Sequence, residues 1–270
     1  MSLSKEKENT KELTLLGVVD YYLSKHPNDI AIAFGDRKVT WEELHSEANK
    51  VANALLKLGI NRQGTVMVST YFDKALEFWS IWLGAWKIAA VPTYLNYRYV
   101  GDEITHVVNN VDTQVLFIQD DLVPKILPLR NKLSAKYIVV IGDKEKTPEG
   151  FLNYYELIRE ANTNEPKPPW QPPQPDDVLL YLYTTGTTGL PKGVIYTYSD
   201  IMRELIASYT TIHNHLNEIM TVYGNKVKDL NAIQKFLSRG ISPSYLAYKI
   251  NFEYSLDFIY DIYGKDQFLL

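Results

Sequence analysis

The sequence predicts an α/β fold in which a largely parallel sheet is flanked by helices, and three observations carry that reading. Strand-like runs at Val66–Thr70, Val115–Ile118 and Tyr137–Ile141 alternate with helical patterns at Lys74–Lys87, Glu103–Asn110 and Leu122–Leu133. A capped amphipathic stretch precedes them, and two further apolar, β-prone runs, Val178–Tyr183 and Val194–Tyr198, follow near the end of the pattern. The 270 residues are 46% hydrophobic and 22% charged, enough apolar material for a substantial core in one or two domains.

Taken in order, Ile30 to Trp41 reads as a hairpin turning at Gly35 and Asp36, residues suited to a tight connection. Thr40 and Glu43 then have capping-box spacing, and Leu44, Ala48, Val51 and Leu55 recur on one face until Gly59, which predicts a helix over Thr40–Leu58. In the helical pattern Lys74–Lys87, Trp79, Trp82 and Trp86 share a face, which reads as core packing in preference to a lipid-facing stripe. The most apolar stretch, Phe78 to Pro92, is broken by Ser80 and Lys87 and is too short for a bilayer span. Between Glu165 and Pro175 the string EPKPPWQPPQP removes amide donors and enforces extended backbone, so it reads as a rigid connector. A helix is expected over Glu204–Tyr223. The organisation expected is an α/β subdomain at 1–163, a Pro-rich connector at 164–177, a hairpin and helix start at 178–206, and a divergent, mainly helical tail at 207–270.

Composition removes several function classes. A net charge of −4 gives no electrostatic reason to propose a nucleic-acid partner. With no cysteine, disulfides and a protein thiol nucleophile are excluded, so any thioester sulfur must come from a cofactor. The start, MSLSKEKENTKELT, mixes both charge signs and lacks an apolar core, unlike a secretion signal, and a cytoplasmic soluble protein is the expectation. His213 and His215, near Glu218, stand two apart and do not share a helix face, so no metal site is expected from them. No G-x-S-x-G elbow occurs.

The most informative residues are Thr184 to Gly193, TTGTTGLPKG, where four hydroxyls, three glycines and a lysine fall in one short loop between two strand-like runs. Backbone amides, threonine oxygens and an ammonium converging there suit a polyphosphate. Gly186 and Gly189 permit close backbone approach to an anion, Thr187 and Thr188 offer donors, and Lys192 a point charge. A Walker-A loop would need Gly at Pro191, Ser or Thr at Gly193, and a helix afterwards, so this is a strand-loop-strand clamp of another kind. Taken alone, a stretch of this kind is more often a solvated Thr/Gly surface turn.

The string YTTGTTGLPKGV, Tyr183 to Val194, resembles the phosphate-binding motif of the AMP-forming acyl-CoA synthetases, the adenylating superfamily that includes luciferases and peptide-synthetase adenylation domains. Asp36–Leu44 (DRKVTWEEL), Gly59–Val66 (GINRQGTV) and Leu83–Glu103 (LGAWKIAAVPTYLNYRYVGDE) resemble family segments in the same order, the last of a fatty-acyl-ligase type, so the likeness runs from about Leu13 to Leu205. The resemblance implies the N-terminal domain of the adenylating-enzyme fold and a two-step reaction. A carboxylic, fatty-type acid attacks ATP to give an acyl adenylate and pyrophosphate, and a thiol, coenzyme A, then displaces AMP. It implies ATP phosphate binding by Thr184, Thr185, Gly186, Thr187, Thr188, Gly189 and Lys192, with Mg²⁺. Members of this family are considerably longer chains. Their adenine pocket, acidic magnesium ligand, ribose-binding aspartate and catalytic C-terminal lysine have no counterpart after Leu205, so no catalytic residue and no metal ligand is identified. The expectation is a truncated ligase lacking its second half, unable to work alone. The alternatives are half of a split ligase whose complementing chain supplies the rest, or an inactive nucleotide-binding remnant. Tyr198 stands where many relatives carry histidine, and the sheet edge is expected to be exposed unless the tail covers it.

Overall fold

In the computed structural model, which describes residues 15–184, 189–201 and 203, the chain divides into two units: one of residues 22–200, and one of 1–21 with 201–270. The first carries the sheet. The second contributes to the described residues only the opening turns of helix α1 (Leu15–Lys25), Ile201 and Arg203. The expected helix Glu204–Tyr223, the His213, His215 and Glu218 group, and the tail 207–270 lie outside the described residues.

A two-stranded hairpin, β1 (Ile30–Phe34) and β2 (Arg37–Thr40), turns at Gly35 and Asp36, with Gly35 at φ +58° as that turn requires. Helix α2 (Trp41–Lys57) follows directly. The Thr40 hydroxyl accepts from the Glu43 N–H at 3.2 Å, and the Glu43 carboxylate accepts from the Thr40 N–H at 2.9 Å, closing the capping box read from the sequence. Strand β3 (Thr65–Ser69), helix α3 (Ala75–Lys87) and strand β4 (Val91–Tyr94) form the first crossover. Next come α4 (Gly101–Asn110), β5 (Val115–Gln119), the short α5 (Val123–Ile126), β6 (Tyr137–Ile141), β7 (Leu152–Asn153), α6 (Tyr154–Arg159), and the long pair β8 (Val178–Thr184) and β9 (Lys192–Thr197).

Seven strands form one sheet in the order β7-β6-β5-β3-β4-β8-β9, parallel throughout except that β9 runs antiparallel to β8. Helices cover both faces of the parallel part, which explains why β3 and β5 read as unbroken apolar runs: every residue of both strands is buried. One core layer joins Met67, Leu116, Ile118 and Val140 of the sheet to Ile104 and Val107 of α4 and Ile126 of α5. Against α3, helix α2 sets Leu44, Ala48, Val51 and Leu55, all buried. The two helices approach so closely that a Cβ on Gly84 would lie 2.8 Å from the Ala48 carbonyl.

Three sequence expectations need correction. Leu122–Leu133 is not one helix: α5 ends after four residues and a 3₁₀ stretch, Leu127–Lys132, takes over. Pro128 lacks an N–H and its ring would meet the carbonyl one turn back, so the α-helical ladder stops there. Of the three tryptophans, Trp82 and Trp86 are buried at 7% and 6% exposure, but Trp79 is 44% exposed at the edge of the aromatic group it forms with Phe78 and Trp82. Strand β4 is missing from the sequence reading, and Pro92, a residue uncommon in central strands, stands within it. Its apolar neighbours nevertheless pair with β3 from Thr65↔Val91 to Val68↔Tyr94.

Candidate functional site

The loop singled out in the sequence leaves the carboxyl end of β8, on the side of a parallel sheet where α/β folds place their ligands. Strands β8 and β9 pair from Leu180↔Tyr196 through Leu182↔Val194 to Thr184↔Lys192, so the last rung of the ladder brings the first hydroxyl and the lysine together. The Thr184 hydroxyl donates to the Lys192 carbonyl at 3.5 Å, and both residues are exposed. Gly189 is exposed beside them. Thr185, Gly186, Thr187 and Thr188 lie outside the described residues. The rung therefore presents a hydroxyl and an ammonium at the mouth of the connection, clear of apolar packing.

The hairpin is anchored at both ends. At its base, Val178 donates to the Gln63 side-chain oxygen at 2.8 Å, Arg62 pairs with Asp177, and the Trp86 indole N–H donates to the Leu179 carbonyl at 2.9 Å. Near the loop, α4 holds it. His106 Nε2 lies 3.0 Å from the Pro191 carbonyl, and the Tyr183 hydroxyl donates to Asn110 Oδ1 at 2.5 Å. Gly193 leaves room for this: a Cβ there would stand 3.1 Å from the Tyr183 ring. Burial, with Tyr181 and Tyr99 adding to it, pushes the Tyr183 phenol up to about 12, so at neutral pH it is a hydrogen-bond donor. A cleft of about 510 Å³ lies along this face, with Gln63, Thr65, Asn110, Gln114, Tyr181 and Tyr183 among its walls.

Sequence reasoning did not find His106, Asn110 or Tyr183. The available signal was two polar residues four apart, His106 half-buried and Asn110 exposed, on a helix whose buried positions, Ile104, Val107 and Val108, are aliphatic. The stretch Asn96–Tyr99, for which no role was apparent, is a turn after β4. The Asn96 side chain accepts from the Arg98 N–H at 3.0 Å, Lys125 donates to the Tyr97 carbonyl at 2.5 Å, and the Tyr97 ring meets Tyr71 edge-on at 4.9 Å. Tyr198 is buried rather than presented to the loop. Its hydroxyl has no partner, and burial, reinforced by the Asp177 charge against a smaller opposing effect of Arg62, raises its pKa strongly. Thr197 and Asp200 cap the turn that begins there, with the Asp200 N–H donating to the Thr197 hydroxyl at 3.1 Å and that hydroxyl to the Asp200 carboxylate at 2.7 Å.

Two clefts of about 560 Å³ share no wall with the hairpin and surround a polar network. Glu77, 1% exposed, accepts from Arg37 at 3.1 and 3.2 Å and from the Tyr155 hydroxyl at 2.7 Å, while Tyr154 donates to Glu47 at 2.7 Å. These carboxylates are consumed by partners within the fold, and the network reads as structural. Among the described residues, no group of three or more His, Asp or Glu could hold a metal ion, and no helix is long and apolar enough to cross a membrane.

Comparison with known proteins bears on the family and the fold. The family model described as AMP-binding enzyme matches residues 19–227. A medium/long-chain-fatty-acid--CoA/3-oxocholest-4-en-26-oate--CoA ligase of Mycobacterium marinum is 28% identical over 197 residues, 72% of this chain and 36% of that protein. The fatty acid--[acyl-carrier-protein] ligase ScoC of Streptomyces coeruleorubidus is 29% identical over 201 residues, 72% of this chain and 35% of its own. Among solved structures, the anthranilate CoA ligase AuaEII in complex with anthranoyl-AMP superposes with a TM-score of 0.63 at 27% identity, over 68% of this chain and 35% of that one. The chain thus spans about a third of the length of the curated relatives it matches.

Proposed function

The chain belongs to the AMP-binding enzyme family, its fold is that of the N-terminal domain of adenylating enzymes, and from that premise we propose that it serves the ATP-dependent activation of a carboxylic acid by supplying the hairpin that holds the phosphates. The observation that carries the reading is the rung Thr184↔Lys192, which stands exposed at the carboxyl end of β8 and opens onto the Thr/Gly loop. Carboxylate and triphosphate are both anionic, so the reaction's barrier is largely one of charge and position. Lys192 would neutralise β- and γ-phosphate charge. Thr184, Thr185, Thr187 and Thr188, with the backbone at Gly186 and Gly189, would orient the departing pyrophosphate. Each preorganised donor of this kind contributes roughly 10²–10³ in rate.

In this reading residues 178–206 hold the phosphates, 1–163 form their scaffold, 164–177 connect the two, and 207–270 stand apart. With no carboxylate cluster among the described residues, Mg²⁺ would arrive on the triphosphate rather than reside in this part of the chain. The acid is fatty in type, as in the Mycobacterium marinum and Streptomyces coeruleorubidus relatives, whose acceptors differ: coenzyme A in one, an acyl carrier protein in the other. Coenzyme A is the acceptor proposed for this protein. The residues that bind adenine and ribose and complete adenylation belong, in this reading, to the roughly two thirds of the relatives' length that this chain does not span.

ATP–pyrophosphate exchange with a panel of carboxylic acids tests the reading. The chain alone is expected to give none, and to bind Mg·ATP all the same. Brisk exchange by the purified chain would overturn the reading that adenylation needs the remaining length of the family, and absence of nucleotide binding would overturn the phosphate-holding role.

A further inference from the structure

We propose that His106 and Asn110 are positioning residues: one face of helix α4 holds both stems of the loop, and the loop's grip on a polyphosphate depends on that hold. The proposal rests on the phosphate reading of residues 184–192 given above.

Residues four apart on a helix lie one above the other on the same face, so His106 and Asn110 present a polar pair to the hairpin. Their partners bracket the loop. Tyr183 is the residue before Thr184 on β8, and Pro191 is the residue before Lys192 on β9. Pro191 has no N–H and a fixed φ, which leaves its carbonyl as the one hydrogen-bonding group that this residue offers α4. A carbonyl only accepts, so His106 Nε2 carries a proton in this contact, at 3.0 Å. On the other stem the Tyr183 hydroxyl reaches Asn110 at 2.5 Å, and its raised pKa keeps it a donor.

The arrangement is specific where simple packing would not be. Ile104, Val107 and Val108 already bury α4 in the core, so its packing on the sheet does not need His106 or Asn110. The ladder fixes the separation of the two stems, and the two directional hydrogen bonds, one helical turn apart, fix where the paired stems stand over α4. That placement sets where Thr184 and Lys192 meet an anion.

The test uses the full chain with His106→Leu, His106→Gln and Tyr183→Phe. Amide exchange of the peptide spanning residues 182–197 is read together with calorimetric titration by Mg·ATP. Loss of one such hydrogen bond is expected to speed exchange of that peptide about fivefold in His106→Leu and in Tyr183→Phe. Mg·ATP affinity is expected to fall about tenfold while the melting transition stays near wild type. Gln keeps a donor at a similar reach and is expected to recover most of both losses. Unchanged exchange in His106→Leu and Tyr183→Phe overturns the proposal, as does a Gln variant that folds yet restores neither quantity. Should the wild type bind no Mg·ATP while exchange still responds, the hold on the stems stands and the phosphate reading beneath it fails.

Discussion

Glu77 is a carboxylate taken out of water and satisfied on both sides, by Arg37 across β2 and by Tyr155 of α6. Arg37 is half exposed and can be rehydrated, so removing the carboxylate costs chiefly the hydrogen bonds and packing it supplies, about 1–3 kcal/mol. Glu77→Ala is therefore expected to lower the unfolding free energy by that order in a urea titration, and Glu77→Gln by less. Glu47 behaves differently. Burial raises its pKa, the hydrogen bond from Tyr154 opposes this, and the charge of Glu77 adds to the rise. Its folded value lies above its unfolded one, so its contribution to stability is complete below the unfolded carboxylate range and is lost as pH rises through the folded value. Glu47→Gln should raise the melting temperature at pH 7, with the gain shrinking as pH falls towards the ordinary range of Glu. A gain that is the same at both pH values contradicts the assignment. None of this was legible in the sequence, because periodicity places Glu77 on a helix but is silent about which hairpin folds over it. Trp79 was misread for a related reason: three tryptophans at helical spacing imply a shared face, and the edge of that face remains open.

Elements whose ends are chemically marked were the most legible. The capping box at Thr40 and Glu43 fixed the start of α2 to the residue, and Gly59, at φ +79°, follows its end. Thr40→Ala removes one side of that box and should cost about 1 kcal/mol in chemical denaturation. The packing of α2 on α3 was not visible beforehand, since it depends on the absence of a side chain at Gly84. Gly84→Val is expected to force the helices apart and destabilise by roughly 1–3 kcal/mol, whereas at Gly150, where nothing lies within 4 Å, the same change meets no neighbour and its cost comes from the backbone φ of +82° alone. Proline acts in opposite directions at two places. Pro128 shortens a helix that periodicity extends, and Pro92 sits inside a central strand that a proline rule would deny. Local chemistry decided the first, and tertiary pairing the second.

At the scale of the molecule, alternation of strands and helices made the parallel sheet legible, while strand order and the antiparallel turn at β9 depend on pairings no local window contains. The Thr/Gly loop was legible as a candidate phosphate cradle, and its stems' attachment to α4 was not. Among the described residues β9 is an edge strand with apolar side chains on both faces, Val194 at 42% and Ile195 at 60% exposure. Ile195→Lys should reduce self-association of the purified chain in light scattering without shifting its melt. Alkali should act on the whole fold. Tyr154, Tyr155, Tyr183 and Tyr198 all have pKa values raised by burial first and nearby carboxylates or phenols second, so folding favours their neutral forms. Stability is expected to hold up to the ordinary tyrosine range near pH 10 and to fall as pH rises beyond it.

The central claim, that the hairpin ending at Thr184 and Lys192 grips a polyphosphate, is tested most directly by titrating Mg·ATP into the full chain and its Lys192→Ala variant. The account predicts saturable binding by the wild type and a loss of about tenfold or more in the variant, with an unchanged melt, because a charge-assisted contact is removed from an exposed residue. Equal affinity in two equally folded proteins would contradict it.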